Sequence, residues 1–522
     1  MASRSERQPL KPAALIAFLA LAGLLSPVAV PAAGAASGDV SGAVSFSVTD
    51  RRPDVPTGLT TRVSVATPAG ETTPTQLSRL QVTLPDGVQF GAQARTAGGD
   101  FRLCDAGAFA VGGTLAAQCP PDSAIGLATI TSAGETLTGS IYAGSVSSGG
   151  LPSIYVEASE GGSAAPGVVR MKLAGALAIG GDGRPGIVFD QIPAPPFSSL
   201  ELSLTGGDSA LFVTPRACNA YAGVATLTGA LTGASIATSS TISVDQDCGA
   251  RGFAPGVEVA SDSPIAEAYA PSAAAVSRAD RSPRIRSARI DAPSGLLANI
   301  GGMPECGLVG DAAIGCAPST RIGTGSLVVG LGGQPRTMSG PVYLTPRAPG
   351  AVAGAHLVVP VRLGEVSLGD LVVPVRIDLR PTDAGIGLSF DLPDRFRGVD
   401  LAIRRAELRF DAPGFTVNPS ACAPLGYSAG ISSDTGAVAF PTGQLSYSRC
   451  DALPFAPTLQ ATLTGETGPG GHPNVNVALN ARGGDSNLKT ATVVLPDGIA
   501  ADLANLKNAC PIESFNAVTC SA

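Results

Sequence analysis

The chain has 522 residues, enough for several domains, and it combines 44% hydrophobic with only 14% charged residues, a balance that excludes an intrinsically disordered protein. Its 66 glycines and 43 prolines oppose long helices and favour a fold with many turns. The net charge of −7, spread without a basic patch, argues against nucleic acid as a partner.

Residues 1–36 have the pattern of a secretory signal peptide. Three basic residues between positions 4 and 11 precede an uncharged apolar run over residues 13–25, and small residues follow at 33–36. The apolar run is shorter than the about 20 residues of a membrane-spanning helix, and no later segment resembles one. We therefore expect cleavage after Ala35 or Ala36, a secreted or cell-surface protein, and no transmembrane segment in the mature chain.

The cysteines recur at a regular spacing. Cys104 and Cys306 are 202 residues apart, and Cys306 and Cys510 are 204 apart. This spacing indicates a four-cysteine unit of about 200 residues that occurs twice and is followed by the first half of a third. An even number of cysteines in an exported chain, without any CxxC, indicates disulfides and not metal ligands. The ten are Cys104, Cys119, Cys218, Cys248, Cys306, Cys316, Cys422, Cys450, Cys510 and Cys520.

Short motifs move in register with the cysteines and strengthen the repeat. Leu84-Pro-Asp-Gly87 recurs as Leu495-Pro-Asp-Gly498. Four further pairs of matching segments are 119–126 with 316–323, 139–142 with 340–343, 214–218 with 418–422, and 253–255 with 455–457.

The repeat narrows the disulfide connectivity, which spacing alone does not fix. The third copy holds only Cys510 and Cys520, so these two must pair if that copy forms a bridge of its own. By analogy, the other predicted bridges are Cys104–Cys119, Cys306–Cys316, Cys218–Cys248 and Cys422–Cys450.

Alternating apolar and polar residues predict β-strands along the whole chain. A period of two places one face of a strand in a core and the other in water. We therefore predict an all-β fold of tandem, Ig-like β-sandwich modules stapled by disulfides. The clearest alternating sets are Leu80, Val82 and Leu84; Leu200, Leu202 and Leu204; Val375, Ile377 and Leu379; and Val475, Val477 and Leu479.

A unit of about 200 residues is large for one sandwich, so each is expected to split into two β-modules. The predicted modules are 37–148, 149–252, 253–346 and 347–452, followed by an incomplete module at 453–522. In that last module the sequence stops two residues after Cys520, so it is either truncated or pairs with something else. Residues 264–284, rich in Ala, Ser and Pro, predict a linker or long exposed loop, and residues 500–508 predict a short helical turn.

Several of these motifs resemble those of a known group of proteins. The segments 119–126, 340–344, 418–422 and 450–457 resemble large, uncharacterised secreted repeat proteins of actinobacteria that carry cysteine-paired β-modules. The resemblance covers most of the mature chain. It implies an extracellular or cell-surface location, and it brings no activity and no catalytic residues.

One motif is typical of an enzyme. Gly426-Tyr-Ser428-Ala-Gly430 matches the G-x-S-x-G in which hydrolases place a nucleophilic serine on a tight strand-to-helix turn. His472 lies downstream, with Asp434 or Asp451 between them, so the chain order also fits. However, the residues after Ser428 do not predict a helix, and the first unit has no serine at the equivalent place. We therefore interpret the motif as a strand and turn.

Other reactive side chains carry weaker patterns. His356 and His472 are the only histidines, and no HExxH motif occurs. The chain has no tryptophan and only 4% aromatic residues, although aromatic platforms are what glycan binding usually needs. We therefore predict no catalytic, metal-binding or cofactor-binding residues and no cofactor. The carboxylate pairs Asp391 with Asp394 and Asp245 with Asp247 are interpreted as solvated turns, and the repeated Tyr142 and Tyr343 as core or cross-strand residues.

Together these patterns favour a secreted or cell-surface structural or adhesive repeat protein that is not an enzyme. The alternatives are an extracellular module that binds glycan or cell wall, and an extracellular hydrolase that uses Ser428 or a carboxylate pair. The partner is unknown; an envelope polymer or another surface protein would fit this location, and nucleic acid would not.

Overall fold

The protein is almost entirely β-structure in this computed structural model, which describes residues 40–147, 150–161, 171–307, 315–482, 485–486, 488, 490–500, 510–512 and 514. Most strands belong to two large antiparallel sheets, one in each half of the chain. Within the described residues, no helix combines the length and the hydrophobicity needed to cross a membrane. The predicted signal peptide, residues 1–36, lies outside the described residues.

The first half contains fourteen strands and one short helix. They are β1 (Gly42–Val48), β2 (Pro56–Thr57), β3 (Leu59–Val65), β4 (Leu77–Thr83), β5 (Gln89–Gly91), α1 (Ala106–Phe109), β6 (Ala124–Ser132), β7 (Glu135–Val146), β8 (Pro152–Ser159), β9 (Met171–Ile179), β10 (Pro185–Asp190), β11 (Phe197–Leu204), β12 (Phe212–Val213), β13 (Asn219–Gly229) and β14 (Ser235–Val244).

The remaining strands follow in the same way, and single 3₁₀ turns occur at Pro121–Ser123, Pro318–Thr320 and Cys450–Ala452. The strands are β15 (Gly256–Ser261), β16 (Ser272–Ser277), β17 (Ile285–Asp291), β18 (Leu297–Ala298), β19 (Arg321–Val329), β20 (Arg336–Thr345), β21 (Ala353–Leu363), β22 (Val366–Leu379), β23 (Ile386–Asp391), β24 (Arg395–Phe396), β25 (Val399–Asp400), β26 (Arg405–Phe410), β27 (Thr416–Val417), β28 (Leu425–Ser433), β29 (Val438–Ala439), β30 (Thr442–Leu445), β31 (Thr458–Gly465) and β32 (Pro473–Asn480).

The two large sheets have the same order of strands, position by position. The first runs β1-β3-β11-β6-β7-β8-β9-β10-β4-β13-β14, and the second runs β15-β16-β26-β19-β20-β21-β22-β23-β17-β28-β29, with β30 also paired to β28. Each sheet folds over so that its first strand packs near its last strands: β1 contacts β13 and β14, and β15 contacts β28 and β30. The apolar faces of the strands are thereby enclosed.

This order differs from the predicted division of each unit into two β-modules. In the first sheet, β11 lies between β3 and β6, and β4 lies between β10 and β13. Strands from residues 37–148 and 149–252 therefore alternate and satisfy each other's backbone hydrogen bonds. Neither of these two predicted modules could close a sheet alone. The second sheet interleaves in the same way across residue 346.

Period-two alternation predicts most of the core in both large sheets, although Leu379 at the end of β22 is 47% exposed. Leu80 and Val82 of β4 are 0% and 1% exposed. Gly223 of β13 leaves space for the ring of Phe46 of β1. A β-carbon on residue 223 would lie only 2.5 Å from this ring. One connected cluster of buried apolar side chains runs through both halves of the chain.

Residues 264–284 are neither a linker nor one long exposed loop, so that prediction is wrong. They contain β16, which lies between β15 and β26 in the second sheet. Ala274, Ala275 and Val276 of this strand are buried, so its small residues are packed inside the protein. Just after the strand, Arg278 and Arg284 are buried as well.

The alternating residues near position 475 also form the predicted strand, but no core covers it in the described structure. β31 and β32 make a hairpin in which Thr458 faces Asn480. Its apolar side chains are exposed, for example Leu459 at 54% and Val475 at 39%. Of the predicted helical turn at 500–508, residues 501–508 lie outside the described residues.

Four disulfides close in the predicted pairs, with Cα–Cα distances from 4.9 to 5.9 Å. Cys510 is also disulfide-bonded, but its predicted partner Cys520 lies outside the described residues. The confirmed bridges are Cys104–Cys119, Cys218–Cys248, Cys306–Cys316 and Cys422–Cys450.

Candidate functional site: the junction between the two large sheets

Ser428 of the hydrolase-like motif lies on a regular strand. It is in the middle of β28, opposite Asp291 on one side and Thr442 on the other. A catalytic serine in a G-x-S-x-G motif is held instead on a sharp turn between a strand and a helix. The position of Ser428 therefore agrees with the interpretation of this motif as part of a strand.

The groove beside Ser428 is lined by charged side chains that pair with each other. Arg380 and Asp383 form an ion pair of 2.8 Å, and Ser294 also donates to Asp383. The hydrogen bonds from Arg380 and Ser294 hold the pKa of Asp383 well below its usual value. Neither His472, in the turn between β31 and β32, nor Asp434 lines this groove. The third candidate, Asp451, lies in the 3₁₀ turn at Cys450–Ala452.

Three of the four candidate carboxylates in the aspartate pairs are engaged by arginines. Asp245 pairs with Arg51, Asp247 lies 2.9 Å from Arg281, and Asp394 lies 3.3 Å from Arg216. The fourth, Asp391, ends β23 opposite Ser287.

The repeated tyrosines and His356 lie on neighbouring strands. Tyr142 of β7 faces Tyr155 of β8, and Tyr343 of β20 faces His356 of β21. His356 is 6% exposed. The structure thus places these residues in cross-strand pairs.

The junction between the two halves is built on a third, smaller sheet with the order β2-β12-β5-β25-β24. Its first three strands come from the first half and its last two from the second. β5 and β25 pair in parallel, with Phe90 opposite Val399, and the Ala92 amide donates to the Asp400 carbonyl at 3.0 Å. Backbone hydrogen bonds therefore run continuously from one half to the other.

A buried charge cluster crosses the junction. Arg284, whose side chain is 3% exposed, donates through Nη2 to Asp54 at 2.6 Å and to Asp400 at 2.9 Å, while Nη1 bonds the other Asp400 oxygen. Asp54 belongs to the first half, and Arg284 and Asp400 to the second. Burial alone would lower the pKa of Arg284, but the two carboxylates raise it above its ordinary value.

Two more buried polar side chains of the junction form hydrogen bonds. Arg278 donates to the Ile403 carbonyl at 2.7 Å; burial, with the nearby positive charge of Arg284, lowers the pKa of Arg278 to about 10. Gln93 of the first half donates to the Ala210 carbonyl at 3.1 Å and accepts from the Leu331 amide at 3.4 Å. Side-chain hydrogen bonds therefore join the two halves in addition to apolar packing.

Ion pairs close the rim of the junction on two sides. Arg216 reaches from the first half to Asp434 at 2.9 Å, and Arg336 of the second half lies 2.7 Å from Asp100. Each of these pairs is partly exposed, and we expect it to align the surfaces more than to stabilise them.

Sequence reasoning missed the junction because it treated residues 264–284 as loose. A usable signal was present: residues 278–286 contain five charged residues in a chain that is otherwise poor in charge. A charge cluster after an apolar strand could have indicated a polar interface.

A second buried polar cluster lies under the loop closed by the Cys104–Cys119 disulfide. The ring of Phe109, in α1, stacks on Tyr155 at 4.5 Å. Lys172, which is 4% exposed, donates to the Phe109 carbonyl at 2.5 Å, and Glu157 accepts from the Ala117 amide at 2.9 Å. Burial lowers the pKa of Lys172, although nearby Glu157 raises it. The loop therefore covers a charged pair on the outer face of the sheet.

Comparison with protein-family models and with curated proteins finds no match for this chain.

Proposed function

We propose that the protein is a secreted or cell-surface structural or adhesive repeat protein without catalytic activity. In this proposal residues 37–252 form unit 1, residues 253–452 form unit 2, and a third unit begins at residue 453. The observation that carries it is the matching strand order of the two large sheets, combined with a junction that fixes one sheet to the other.

A shared local contact supports treating the two halves as copies of one unit. The hydroxyl of Thr214, in unit 1, donates to the Arg52 carbonyl at 2.7 Å. The amide of Asn418, in unit 2, donates to the Ile265 carbonyl at 2.8 Å. Thr214 and Asn418 are the first residues of the matching segments 214–218 and 418–422. Each holds a corresponding loop, between β1 and β3 in unit 1 and between β15 and β16 in unit 2.

The use of charged side chains favours a structural role. Arg284, Arg216 and Arg336 join one unit to the other, and such contacts fix the direction in which each unit presents its loops. Disulfides within each unit suit an oxidising exterior. The resemblance to secreted repeat proteins of actinobacteria agrees with the same location.

The location is tested by fractionating cells of the source organism that express the full chain with a C-terminal epitope tag. We expect the protein in the medium or envelope fraction, shortened at its N-terminus and resistant to thiol alkylation before reduction. A full-length, alkylatable protein in the cytoplasm would overturn the proposal.

The structural or adhesive role is tested by deleting the gene and adding purified, labelled protein to the mutant cells. We expect the label to be retained on the envelope and lost after competition with unlabelled protein. Isolated envelope polymers then serve as separate baits, since retention on one purified glycan would favour the glycan-binding alternative.

The absence of catalysis is tested with a broad panel of esterase, peptidase and glycosidase substrates. We expect no turnover by the wild-type protein. Turnover that disappears in Ser428→Ala but persists in Ser432→Ala, a matched change on the same strand, would show that the protein is a hydrolase.

A further inference from the structure

The face of unit 1 that binds unit 2 has a counterpart on unit 2. We propose that this counterpart face is a docking surface for a third unit of the same repeat, held as unit 2 is held on unit 1. The inference rests on the tandem-unit organisation proposed above, and it adds the interaction surface and the kind of partner.

The strands that form the two faces correspond residue by residue. In unit 1, Val213 of β12 pairs with Gln89 of β5. In unit 2, Val417 of β27 pairs with Leu297 of β18. The third short strand corresponds too, because Pro56 lies opposite Val213 and Tyr269 lies opposite Val417.

The backbone beyond these strands follows the same path. The Gly91 amide donates to the Leu211 carbonyl at 2.9 Å, and the Asn299 amide donates to the Phe415 carbonyl at 2.7 Å. The next residue in unit 1 is Ala92, whose amide donates across the junction to Asp400. Ile300 holds that position in unit 2, so its amide is placed to donate a hydrogen bond to a strand from a third unit.

A carboxylate is also presented at the same place. The strand pairs Val48–Leu59 and Ser261–Ser272 bracket loops of equal length. Asp54 and Glu267 occupy the same position in these loops, and both have a left-handed backbone, with φ of 56° and 59°.

The two carboxylate residues are anchored by the same backbone contact. The Asp54 amide donates to the Pro215 carbonyl at 3.1 Å, and the Glu267 amide donates to the Pro419 carbonyl at 3.3 Å. Asp54 receives Arg284 of the following unit. Glu267 therefore holds the backbone position from which Asp54 receives an arginine of the following unit.

The two faces differ in what covers them. Within the described structure, Tyr269, Leu297 and Ile300 of unit 2 are 67%, 37% and 37% exposed. Their counterparts Pro56, Gln89 and Ala92 are all buried in the junction. An apolar side chain exposed by itself is ordinary, but these three occupy the positions that are covered in unit 1, and they mark an open copy of a closed interface.

A third unit is the occupant that fits. A second copy of this chain does not supply the needed strand, because β25 of each copy already pairs with its own β5. Residues 453–522 repeat the start of a unit, and the β31–β32 hairpin corresponds in order to β15 and β16. An interface of this head-to-tail kind adds units in a row without closing.

The test is a chain in which a second copy of residues 253–452 follows residue 452. Hydrogen exchange of residues 297–301 is compared with that of the original 522-residue chain, together with iodination of Tyr269. We expect the Ile300 amide to exchange about tenfold more slowly than in the original chain, or slower still. Labelling of Tyr269 should be lost, since the added strand covers both residues.

The matched control is Ile300→Asp in unit 2 of the extended chain. This side chain is exposed in the original protein, so the change leaves unit 2 folded and is expected to restore both signals. An added copy that forms its two disulfides but leaves residues 297–301 unprotected would overturn the docking proposal and leave the tandem organisation intact. An added copy that forms no disulfides would contradict both.

Discussion

At the scale of single residues, the junction depends on buried charges that compensate each other. Arg284 is enclosed with two carboxylates, and each of the three side chains is at most 12% exposed. A buried ion pair contributes little relative to an apolar replacement of the whole group, but removing one partner leaves an uncompensated charge. A single substitution in this cluster should therefore lower the free energy of unfolding by more than the ion pair itself contributes to it.

Arg284→Met is expected to lower the free energy of unfolding by about 3 kcal/mol or more, because Asp54 and Asp400 lose their counter-charge. Urea denaturation followed by circular dichroism measures the change. Arg289→Met is the matched control: its side chain is 40% exposed and lies 3.2 Å from Asp378, so it should cost less than about 1 kcal/mol. Equal losses in the two variants would contradict the role given to Arg284.

A second prediction at this scale concerns Lys172 under its disulfide-closed loop. Replacing both Cys104 and Cys119 by serine should free the loop, since a crosslink of this span contributes about 3 kcal/mol. Acylation of Lys172 by an amine-reactive reagent, measured by mass spectrometry, should then rise by about tenfold or more. Because burial lowers the pKa of Lys172, opening the loop should also shift its labelling profile to higher pH.

The matched control for Lys172 is the double serine replacement of Cys218 and Cys248, which opens a disulfide elsewhere in the same unit. Labelling of Lys172 should be unchanged in that variant. A similar rise in both would show that Lys172 reports general loosening and not the loop.

At the scale of elements, the structure explains why the motif at 418–422 recurs. Asn418 is fully buried, and its amide donates to the Ser263 and Ile265 carbonyls, both at 2.8 Å. Its oxygen accepts from Ser261 at 2.7 Å. These bonds hold the segment between β15 and β16, on which Tyr269 is exposed at the surface.

Asn418→Ala is expected to lower the free energy of unfolding by about 2 kcal/mol, because the partner carbonyls stay partly buried without a donor. Asn418→Thr should recover part of this loss, since Thr214 performs the same task in unit 1. Chemical denaturation of the three proteins gives the ranking. Identical losses for alanine and threonine would show that the two positions are not equivalent.

The sequence predicted elements far better than their arrangement. Alternation at Leu80 and Leu200 identified strands because a strand's two faces are recorded in neighbouring residues. The repeat of the cysteines, with only two of them in the third copy, likewise predicted the four confirmed bridges. The order of strands and the junction depend on distant partners, since Arg284 and Asp54 are 230 residues apart. The charges at 278–286 could indicate a polar interface, but a local pattern does not identify its partner.

At the scale of the whole molecule, the described chain has two large sheets that are joined to each other, followed by an exposed hairpin. The units share one apolar cluster and one small sheet, so they should unfold in a coupled way. The hairpin differs, because seven of the eight residues in β32 and all of those in β31 are exposed. The two strands of the hairpin form hydrogen bonds with each other and bury little apolar surface.

Ending the chain after residue 452 should therefore change the free energy of unfolding of units 1 and 2 by less than about 0.5 kcal/mol. In the full chain, hairpin amides should exchange within seconds, since an isolated two-stranded hairpin is marginally stable in water. Urea denaturation and hydrogen exchange give the two readouts.

Ending the chain after residue 436 is the control: it removes β29, β30 and Cys450, which pair with β28 and Cys422, and should destabilise unit 2 by several kcal/mol. Slow exchange in the hairpin, or a loss of stability on its removal, would mean that β31 and β32 are held by a surface of this chain, and units 1 and 2 would then not be the whole of the folded body.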